Sequence, residues 1–226
     1  MIIVEFCGLP GAGKTTLCDK VESECAALGY SVKNLHTRKA ADSLAKKVKK
    51  AVLRNKYTNW QGNREFKSLL DSFSSGYTDD RTAAWIDRLL EMNYLIHNSN
   101  DLDIALFDEG FIQLISSICF DKPVKTNDSL FECVQNIISE FDYVIVNCQI
   151  PVKESYDRVI KRNRLNDRYV GKYDEVTALY TMKDNNVRAI FDVIKPSKKH
   201  VVSNDAHEID YFIQMLLSDI RGIDNE

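Results

Sequence analysis

The feature of this sequence that most constrains its fold is a glycine-rich stretch near the N-terminus. Residues 8–16 read G-L-P-G-A-G-K-T-T and contain the full pattern G-x-x-x-x-G-K-[ST]. An apolar run at residues 2–6 precedes the pattern, and apolar residues at helical spacing follow it. This order predicts a buried strand, a glycine-rich turn and a helix, which is the context in which the pattern binds phosphate. A glycine-rich turn without a ligand is the alternative.

The residue types in this stretch suit a polyphosphate. Gly8, Gly11 and Gly13 allow the backbone to curl so that successive N–H groups point inward, and the helix N-terminus adds partial positive charge. Lys14 is expected to reach the β- and γ-phosphates, and Thr15 to coordinate Mg²⁺. We therefore predict that the chain binds ATP or GTP together with Mg²⁺. The residues predicted to bind the nucleotide are Gly8, Pro10, Gly11, Ala12, Gly13, Lys14, Thr15 and Thr16.

Length and composition favour one globular domain. The 226 residues suit a single α/β domain with an inserted subdomain, and a hydrophobic content of 44% is ordinary for such a protein. The net charge of −3 does not indicate a nucleic-acid or membrane partner, and no apolar run reaches the roughly 20 residues of a membrane span. The chain enters its first strand directly, so we expect no signal peptide. Six cysteines without a C-x-x-C spacing predict buried free thiols in a reducing cytoplasm rather than a zinc site.

Apolar strands alternate with helical patterns along the chain. Strands are predicted at residues 2–6, 31–35, 104–107, 143–148 and 200–202. Helices are predicted after the glycine-rich turn and at residues 82–97, 111–120, 130–141, 151–164, 174–194 and 207–220. This alternation predicts parallel crossovers and a sheet covered on both faces, which is an α/β fold of three layers. Ligands of such sheets bind at the carboxyl ends of the strands, where Gly8, Asp108 and Gln149 would lie.

A basic helical insertion is predicted at residues 37–100. Between Lys33 and Lys67 the chain carries eleven Lys or Arg residues against two acidic residues. Apolar residues share one helical face there, at Leu44, Ala45, Val48, Ala51 and Val52. The segment is either a solvated helix surface or a positive wall or lid that faces an anionic substrate. Residues 71–80, which are rich in Ser, Asp and Gly, are predicted to form a loop.

Two acidic residues follow the predicted third strand. Asp108, at the end of that strand, can hold the water shell of Mg²⁺, which complements a phosphate-binding loop. Glu109 has three alternative roles. In P-loop ATPases the acid after the metal-holding aspartate polarises the attacking water, whereas a kinase needs a carboxylate near an acceptor hydroxyl. A structural hydrogen bond is the third alternative.

Short motifs elsewhere fall at spacings typical of one group of enzymes. These motifs are Thr37-Arg38 after the second strand, Asp87-Arg88 on a helix, Arg158 and Arg162 followed by Asp167-Arg168, and Asp205-Ala206 after the last strand. Together with the glycine-rich loop, they resemble P-loop nucleoside and nucleotide kinases, thymidylate kinase most closely, over nearly the whole chain. The resemblance implies a P-loop NTPase sandwich with five parallel strands in the order 2-3-1-4-5.

The resemblance also implies roles for particular arginines. Arg38 and Arg88 would face the acceptor and its phosphate. A lid at residues 158–172 would close over the transferring phosphoryl group, with Arg158 contacting the nucleotide and with Arg162 and Arg168 stabilising the developing negative charge. A homodimer is compatible with the resemblance.

Three departures from the thymidylate kinase pattern leave the acceptor open. Pro10 stands where those enzymes carry an acid that contacts the sugar, and Glu109 stands where they carry an arginine. No Glu-Pro-Gly-Gly follows Arg38. The acceptor need not be thymidylate.

The sequence as a whole predicts a cytoplasmic, Mg²⁺-dependent kinase. It would transfer the γ-phosphoryl group of ATP to a nucleotide, a nucleoside or another small anionic acceptor. The predicted catalytic residues are Lys14, Asp108, Glu109, Arg162 and Arg168, and the predicted metal ligands are Thr15 and Asp108. The alternative is a P-loop ATPase or nucleotide-dependent switch whose basic segment binds a partner such as RNA. Another alternative is a degenerate kinase that binds nucleotide without turnover.

Overall fold

A five-stranded parallel sheet forms the centre of the protein. The computed structural model describes residues 1–35, 44–77, 80–119, 122–162, 171–203 and 206–223. The strands are β1 (Ile2–Gly8), β2 (Val32–Asn34), β3 (Ile104–Phe107), β4 (Asp142–Gln149) and β5 (Lys198–Ser203). They pair in the order β2-β3-β1-β4-β5, and every pairing is parallel. The predicted fold class and strand order are confirmed.

Helices cover both faces of this sheet. Within the described residues they are α1 (Lys14–Ala27), α2 (Leu44–Asn59), α3 (Asn63–Ser74), α4 (Thr82–Asn98), α5 (Phe111–Ile118), α6 (Ser129–Ser139), α7 (Val152–Lys161), α8 (Tyr173–Val193) and α9 (Ala206–Ile223). Alternate residues of β1 enter different cores. Ile3 and Cys7 pack with helices α3 to α6, whereas Val4 and Phe6 pack with α1 and α9. Because both faces are buried, the central strands are almost continuously apolar.

The position of β1 explains where a ligand can bind. β1 lies between β3 and β4, with Ile2 opposite both Ile104 and Asp142. The loop after β1 therefore opens at the middle of the carboxyl edge, with the end of β3 on one side and the ends of β4 and β5 on the other. Partial positive charge at the N-terminus of α1 faces the same place.

The prediction of a loop at residues 71–80 is wrong for residues 71–74, which belong to α3. Helix α3 continues to Ser74, because Phe66, Leu70 and Phe73 follow one another on the same face of the helix and are buried in the core. The Ser and Asp residues between them are polar because that side of the helix is exposed. Because loops are also rich in Ser and Asp, this exposed side of the helix was predicted as a loop.

Helix α2 turns a different face to the protein from the one its apolar pattern suggested. Val48 and Val52 have exposed fractions of 55% and 52%, whereas Tyr57 is buried and Leu53 packs against the core. Among the described side chains of α2, Leu53 and Tyr57 make the contact with the core. The predicted apolar stripe is thus partly solvated.

Several predicted residues lie outside the described part of the chain. They are Thr37, Arg38, Asp167, Arg168 and Asp205. Of the predicted lid at residues 158–172, the structure describes residues 158–162 and 171–172. Among the described helices, none is both long enough and apolar enough to cross a membrane.

Candidate nucleotide-binding site

The loop between β1 and α1 has the backbone geometry that its glycines predicted. Gly8, Gly11 and Gly13 have φ angles of 139°, 80° and 87°, a region that side chains disfavour. A Cβ atom on Gly8 would also lie 2.3 Å from the carbonyl oxygen of Cys148 in the neighbouring strand. Glycine at this position is therefore required by both conformation and space. We refer to residues 8–16 as the P-loop.

Helix α7 packs directly against the P-loop. The Ser155 hydroxyl donates a hydrogen bond to the carbonyl oxygen of Pro10, and Arg158 donates through Nη1 to the carbonyl oxygen of Gly11 at 3.2 Å. A Cβ atom on Gly11 would meet the Cβ of Arg158 at 3.2 Å. These contacts place α7 and Arg158 beside the P-loop, and the predicted contact of Arg158 with the nucleotide stays a prediction.

Lys14 lies inside the curl of the P-loop. Its Nζ donates hydrogen bonds to the carbonyl oxygens of Gly8 at 3.0 Å and Leu9 at 2.9 Å. Burial lowers the pKa of Lys14, and the carboxylate of Glu109 opposes this shift more strongly than that of Asp108 does. A buried ammonium group inside a glycine-rich loop is positioned to neutralise negative charge on a phosphate.

Thr15 and Asp108 come together across the sheet edge. The Thr15 hydroxyl donates a hydrogen bond of 2.8 Å to Oδ2 of Asp108, and the Asp108 side chain is buried at the end of β3. A hydroxyl and a carboxylate are hard oxygen ligands of the kind that Mg²⁺ prefers. Mg²⁺ in nucleotide sites takes one or two protein ligands and completes its shell with phosphate and water, so this pair fits the ion. Among the described residues, no group of three or more His, Cys, Asp or Glu side chains is arranged to hold a metal ion.

Glu109 forms an ion pair with Arg88 of α4. Nη1 of Arg88 lies 3.0 Å from Oε2 of Glu109, and the guanidinium carbon lies 4.9 Å from the ring centre of Trp85. The two charged side chains have exposed fractions of 31% and 16%, so the pair is shielded from solvent but remains accessible. Arg88 therefore lies at the β3 side of the P-loop, next to the predicted metal site.

A cleft of about 320 Å³ opens on the other side of the P-loop. Side chains of α1, α7, β5 and α9 line it, among them Thr16, Lys20, Arg158, Arg162, Ser203 and Asp210. Lys20 and Asp210 also form an ion pair that links α1 to α9 at this cleft. Two predicted lid arginines, Arg158 and Arg162, thus reach a space that adjoins the P-loop residues Ala12 and Gly13.

Sequence reasoning missed a buried polar network below the P-loop. Glu5 of β1 is fully buried and accepts hydrogen bonds from the backbone N–H of Ile112 at 2.7 Å and from the hydroxyl of Tyr143 at 2.8 Å. The Gly8 N–H donates to Oε1 of Gln113 at 3.1 Å. One signal was present, because Glu5 is the single charged residue in an otherwise apolar strand.

The structure brings the described site residues to one edge of the sheet. P-loop residues, Asp108, Glu109, Arg88, Arg158 and Arg162 all lie around the ends of β1, β3, β4 and β5. Arg38 and Arg168 lie outside the described residues, so their predicted roles stay predictions. The assignment of each remaining residue to ATP, metal or acceptor also stays a prediction.

No protein-family model and no curated protein sequence matches this chain. Solved structures do. A deoxyadenosine kinase from M. mycoides with bound dATP is 15% identical, with a TM-score of 0.54 over 98% of this chain and 100% of that chain. The YorR protein from Bacillus subtilis, in complex with phosphorylated GDP, is 11% identical, with a TM-score of 0.52 over 99% of this chain and 98% of that chain. The chain therefore has the fold of the P-loop kinases, as its motifs suggested.

Proposed function

We propose that this protein is a Mg²⁺-dependent kinase. It transfers the γ-phosphoryl group of ATP to a nucleoside, a nucleotide or another small anionic acceptor. The observation that carries the proposal is the assembly of Lys14, Thr15 and Asp108 at one point of the sheet edge, with the Arg88–Glu109 pair beside it. Structures of similar fold contain a deoxynucleoside triphosphate or a phosphorylated nucleotide, which supports the class of ligand.

Each residue predicted for the site, including Arg168 outside the described part of the chain, has a distinct task in this proposal. The backbone N–H groups of the P-loop and the Lys14 ammonium group hold the β- and γ-phosphates. Thr15 and Asp108 hold Mg²⁺, which supplies neutralisation of phosphate charge. Arg162 and Arg168 stabilise the equatorial oxygens of the transferring group.

The cleft beside the P-loop is the proposed place of the donor nucleoside. Its walls from α1, α7, β5 and α9 leave space next to Gly13 and Thr16, where the phosphates would enter the loop. Arg158, which already bonds to the Gly11 carbonyl, would contact the nucleotide there. The choice of ATP as donor belongs to this proposal.

A reducing compartment suits the protein. Its six cysteines are free, and five of them are buried. Proteins with free buried thiols are typical of the cytoplasm, where we place this kinase.

ADP release from ATP and Mg²⁺ tests the proposal. We expect a basal rate without acceptor and a large increase with one class among nucleosides, nucleoside monophosphates and sugars. A rate that no acceptor raises, but that a polyanion stimulates in a salt-sensitive manner, would instead support the ATPase or switch. Glu109 next to Asp108 makes that outcome chemically reasonable, because it could also polarise water.

We predict that Lys14→Ala abolishes turnover and leaves the fold intact. Removing the ammonium group deletes a charge that the transition state needs, while the loop backbone keeps its glycine geometry. Circular dichroism and the thermal midpoint check the fold, and ADP release checks the activity. Lys195→Ala, at an exposed position after α8, serves as the charge control. Normal turnover in Lys14→Ala would refute the site.

A further inference from the structure

The two sides of the P-loop differ in their chemistry. The β4–β5 side holds the open cleft, whereas the β3 side holds Asp108, Glu109 and Arg88. If the donor occupies the cleft and the loop, as proposed above, its terminal phosphate points towards Lys14 and Asp108. The acceptor must then approach from the β3 side. The inference below rests on that proposed function.

A carboxylate is the group that meets the acceptor on this side. Glu109 directly follows the metal-holding Asp108 and is only partly exposed, at 16%. Its neighbour Asp108 accepts the 2.8 Å hydrogen bond from Thr15 of the P-loop, so Glu109 lies at the end of β3 beside the proposed position of the transferring phosphoryl group. Glu109 is therefore near enough to the reaction centre to contact an acceptor atom.

Arg88 already has a partner in Glu109. A guanidinium that pairs with a carboxylate at 3.0 Å and lies over the Trp85 ring has much of its charge balanced. A phosphate acceptor would have to take Arg88 from Glu109 and then remain beside that carboxylate. Like charges at such distances repel strongly when solvent is largely excluded.

An uncharged hydroxyl acceptor is not repelled by Glu109. It donates a hydrogen bond to a carboxylate without any repulsion, and a carboxylate at this position can receive the proton that the hydroxyl loses. Arg88 would act through Glu109 as a positioning residue, because its guanidinium holds the carboxylate in place.

We propose that the acceptor group is the hydroxyl of a nucleoside or a related small alcohol, bound against Glu109, rather than the phosphate of a nucleotide. In the transfer, the hydroxyl oxygen forms a bond to the γ-phosphorus. The bond from that phosphorus to the β,γ-bridging oxygen breaks, and its electron pair leaves with ADP. The hydroxyl proton passes to the Glu109 carboxylate and then to water.

Matched pairs of acceptors test this inference. Each common ribo- and deoxyribonucleoside is assayed for ADP release beside its own 5′-monophosphate. We expect at least one nucleoside to raise the rate, and its monophosphate to be poorer by about 100-fold or more. Glu109→Gln should lower kcat with the nucleoside by about 10²- to 10⁴-fold, which is the usual contribution of a general base.

Binding without ATP gives a readout that does not depend on turnover. Calorimetric titration of the nucleoside should show about tenfold weaker binding to Glu109→Gln, because a hydrogen bond to a charged group is lost. The monophosphate should bind Glu109→Gln more tightly than the natural protein, because a repulsive charge is removed. A merely structural role of Glu109 would move both affinities in the same direction.

Two further variants complete the test. Arg88→Met should lower kcat with the nucleoside, and Arg88→Lys should restore part of it. Asp184→Asn removes a carboxylate of the same kind that pairs with Arg188 on α8, and it should change neither affinity.

The outcomes separate the two proposals. If a monophosphate and not its nucleoside is phosphorylated, the hydroxyl inference is wrong and the kinase proposal stands. If no acceptor raises ADP release, both are wrong. Loss of acceptor-independent hydrolysis in Glu109→Gln would then assign this carboxylate to water.

Discussion

Glu5 is a carboxyl group in a place where few carboxyl groups occur. It is fully buried in the central strand, and burial raises its pKa from 4.5 to about 7 although Tyr143 and the N-terminal backbone of α5 donate hydrogen bonds to it. The hydrogen bonds favour the charged form, but the loss of water outweighs them. Glu5 therefore changes protonation near neutral pH inside the folded protein.

This burial predicts a pH-dependent stability. Between pH 4.5 and about 7 the folded protein retains a proton on Glu5 that the unfolded chain has released, so the free energy of unfolding falls as pH rises. The loss should be about 3 kcal/mol across that window. Glu5→Gln cannot titrate, so the difference between the two proteins should follow this curve.

Urea denaturation of both proteins at several pH values checks the difference. Parallel stability curves from pH 4.5 to 7 would show that Glu5 has the same pKa in the folded and unfolded chains. His200, whose pKa burial lowers, titrates in both proteins and cancels in the comparison.

Residues of the site differ in how far the sequence reveals them. Lys14 and Thr15 occur at fixed places in a pattern, and Asp108 follows an apolar run, so their proximity was predictable. Gln113 bonds to Gly8 across 105 positions, and no pattern announces that contact. The ion pair between Arg88 and Glu109 was not predictable from the sequence either, because the orientation of α4 decides which side chain Arg88 contacts.

Helix α5 joins the separate parts of the site. Its N-terminus follows Glu109, the N–H of Ile112 bonds to Glu5, and the side chain of Gln113 bonds to the P-loop. Lys183 of α8 is also buried there, where it donates to the Gln113 carbonyl at 3.1 Å and to two serine hydroxyls. One short helix thus fixes the end of β3, with Asp108, relative to the P-loop.

Gly110 limits how closely this helix approaches β1. Its φ of −101° would accept any residue, but a Cβ atom there would lie 2.1 Å from Cδ of Glu5. We predict that Gly110→Ala destabilises the protein by about 1–3 kcal/mol through overpacking. Turnover should also fall, because Glu109 is displaced with the helix end.

A double-mutant cycle isolates the contact. In Glu5→Ala/Gly110→Ala the clash partner is absent, so the double variant should lose less stability than the sum of the two single variants. Gly222→Ala in α9 is the control, because a Cβ atom there meets nothing within 4 Å. Additive free energies from urea denaturation would contradict the steric explanation.

Elements were predictable where pattern and burial agree. The central strands and α4 were predicted within one or two residues because their apolar periodicity matches the buried face. The end of α3 was predicted as a loop because it is rich in Ser and Asp. Helix α2 contacts the core through Leu53 and Tyr57 instead of its valines. Tertiary packing selected that face, and local sequence does not encode it.

At the scale of the whole molecule, the P-loop is attached to the strand around which everything else assembles. β1 belongs to both hydrophobic cores, so the geometry of its carboxyl end depends on the complete fold. A ligand bound there stabilises the folded state as a unit.

Nucleotide binding should therefore raise the thermal midpoint of the entire domain. With MgATP at about 100 times its dissociation constant the gain is about 2.7 kcal/mol, which corresponds to about 5–10 °C for a chain of this length. Lys14→Ala should show little of this shift. Differential scanning fluorimetry checks both proteins, and an equal shift in the variant would place the nucleotide elsewhere.

The strand order illustrates what a whole-molecule prediction requires. Alternating strands and helices indicate a parallel sheet, but they do not give the order of its strands. The order 2-3-1-4-5 came from a resemblance in short motifs, and the pairing of β1 with β3 and β4 confirms it. Substrate specificity in such folds depends on loops, whose structure the alternation of strands and helices does not predict.

Two buried cysteine thiols can report local opening of the sheet near the P-loop. Cys7 and Cys148 flank the base of the P-loop, and burial raises the pKa of both, so each stays protonated and shielded. Alkylating reagents attack the thiolate. The rate of alkylation at these two cysteines would therefore measure how often this edge of the sheet opens. The partly exposed Cys133 would serve as the internal reference for the reactivity of the reagent.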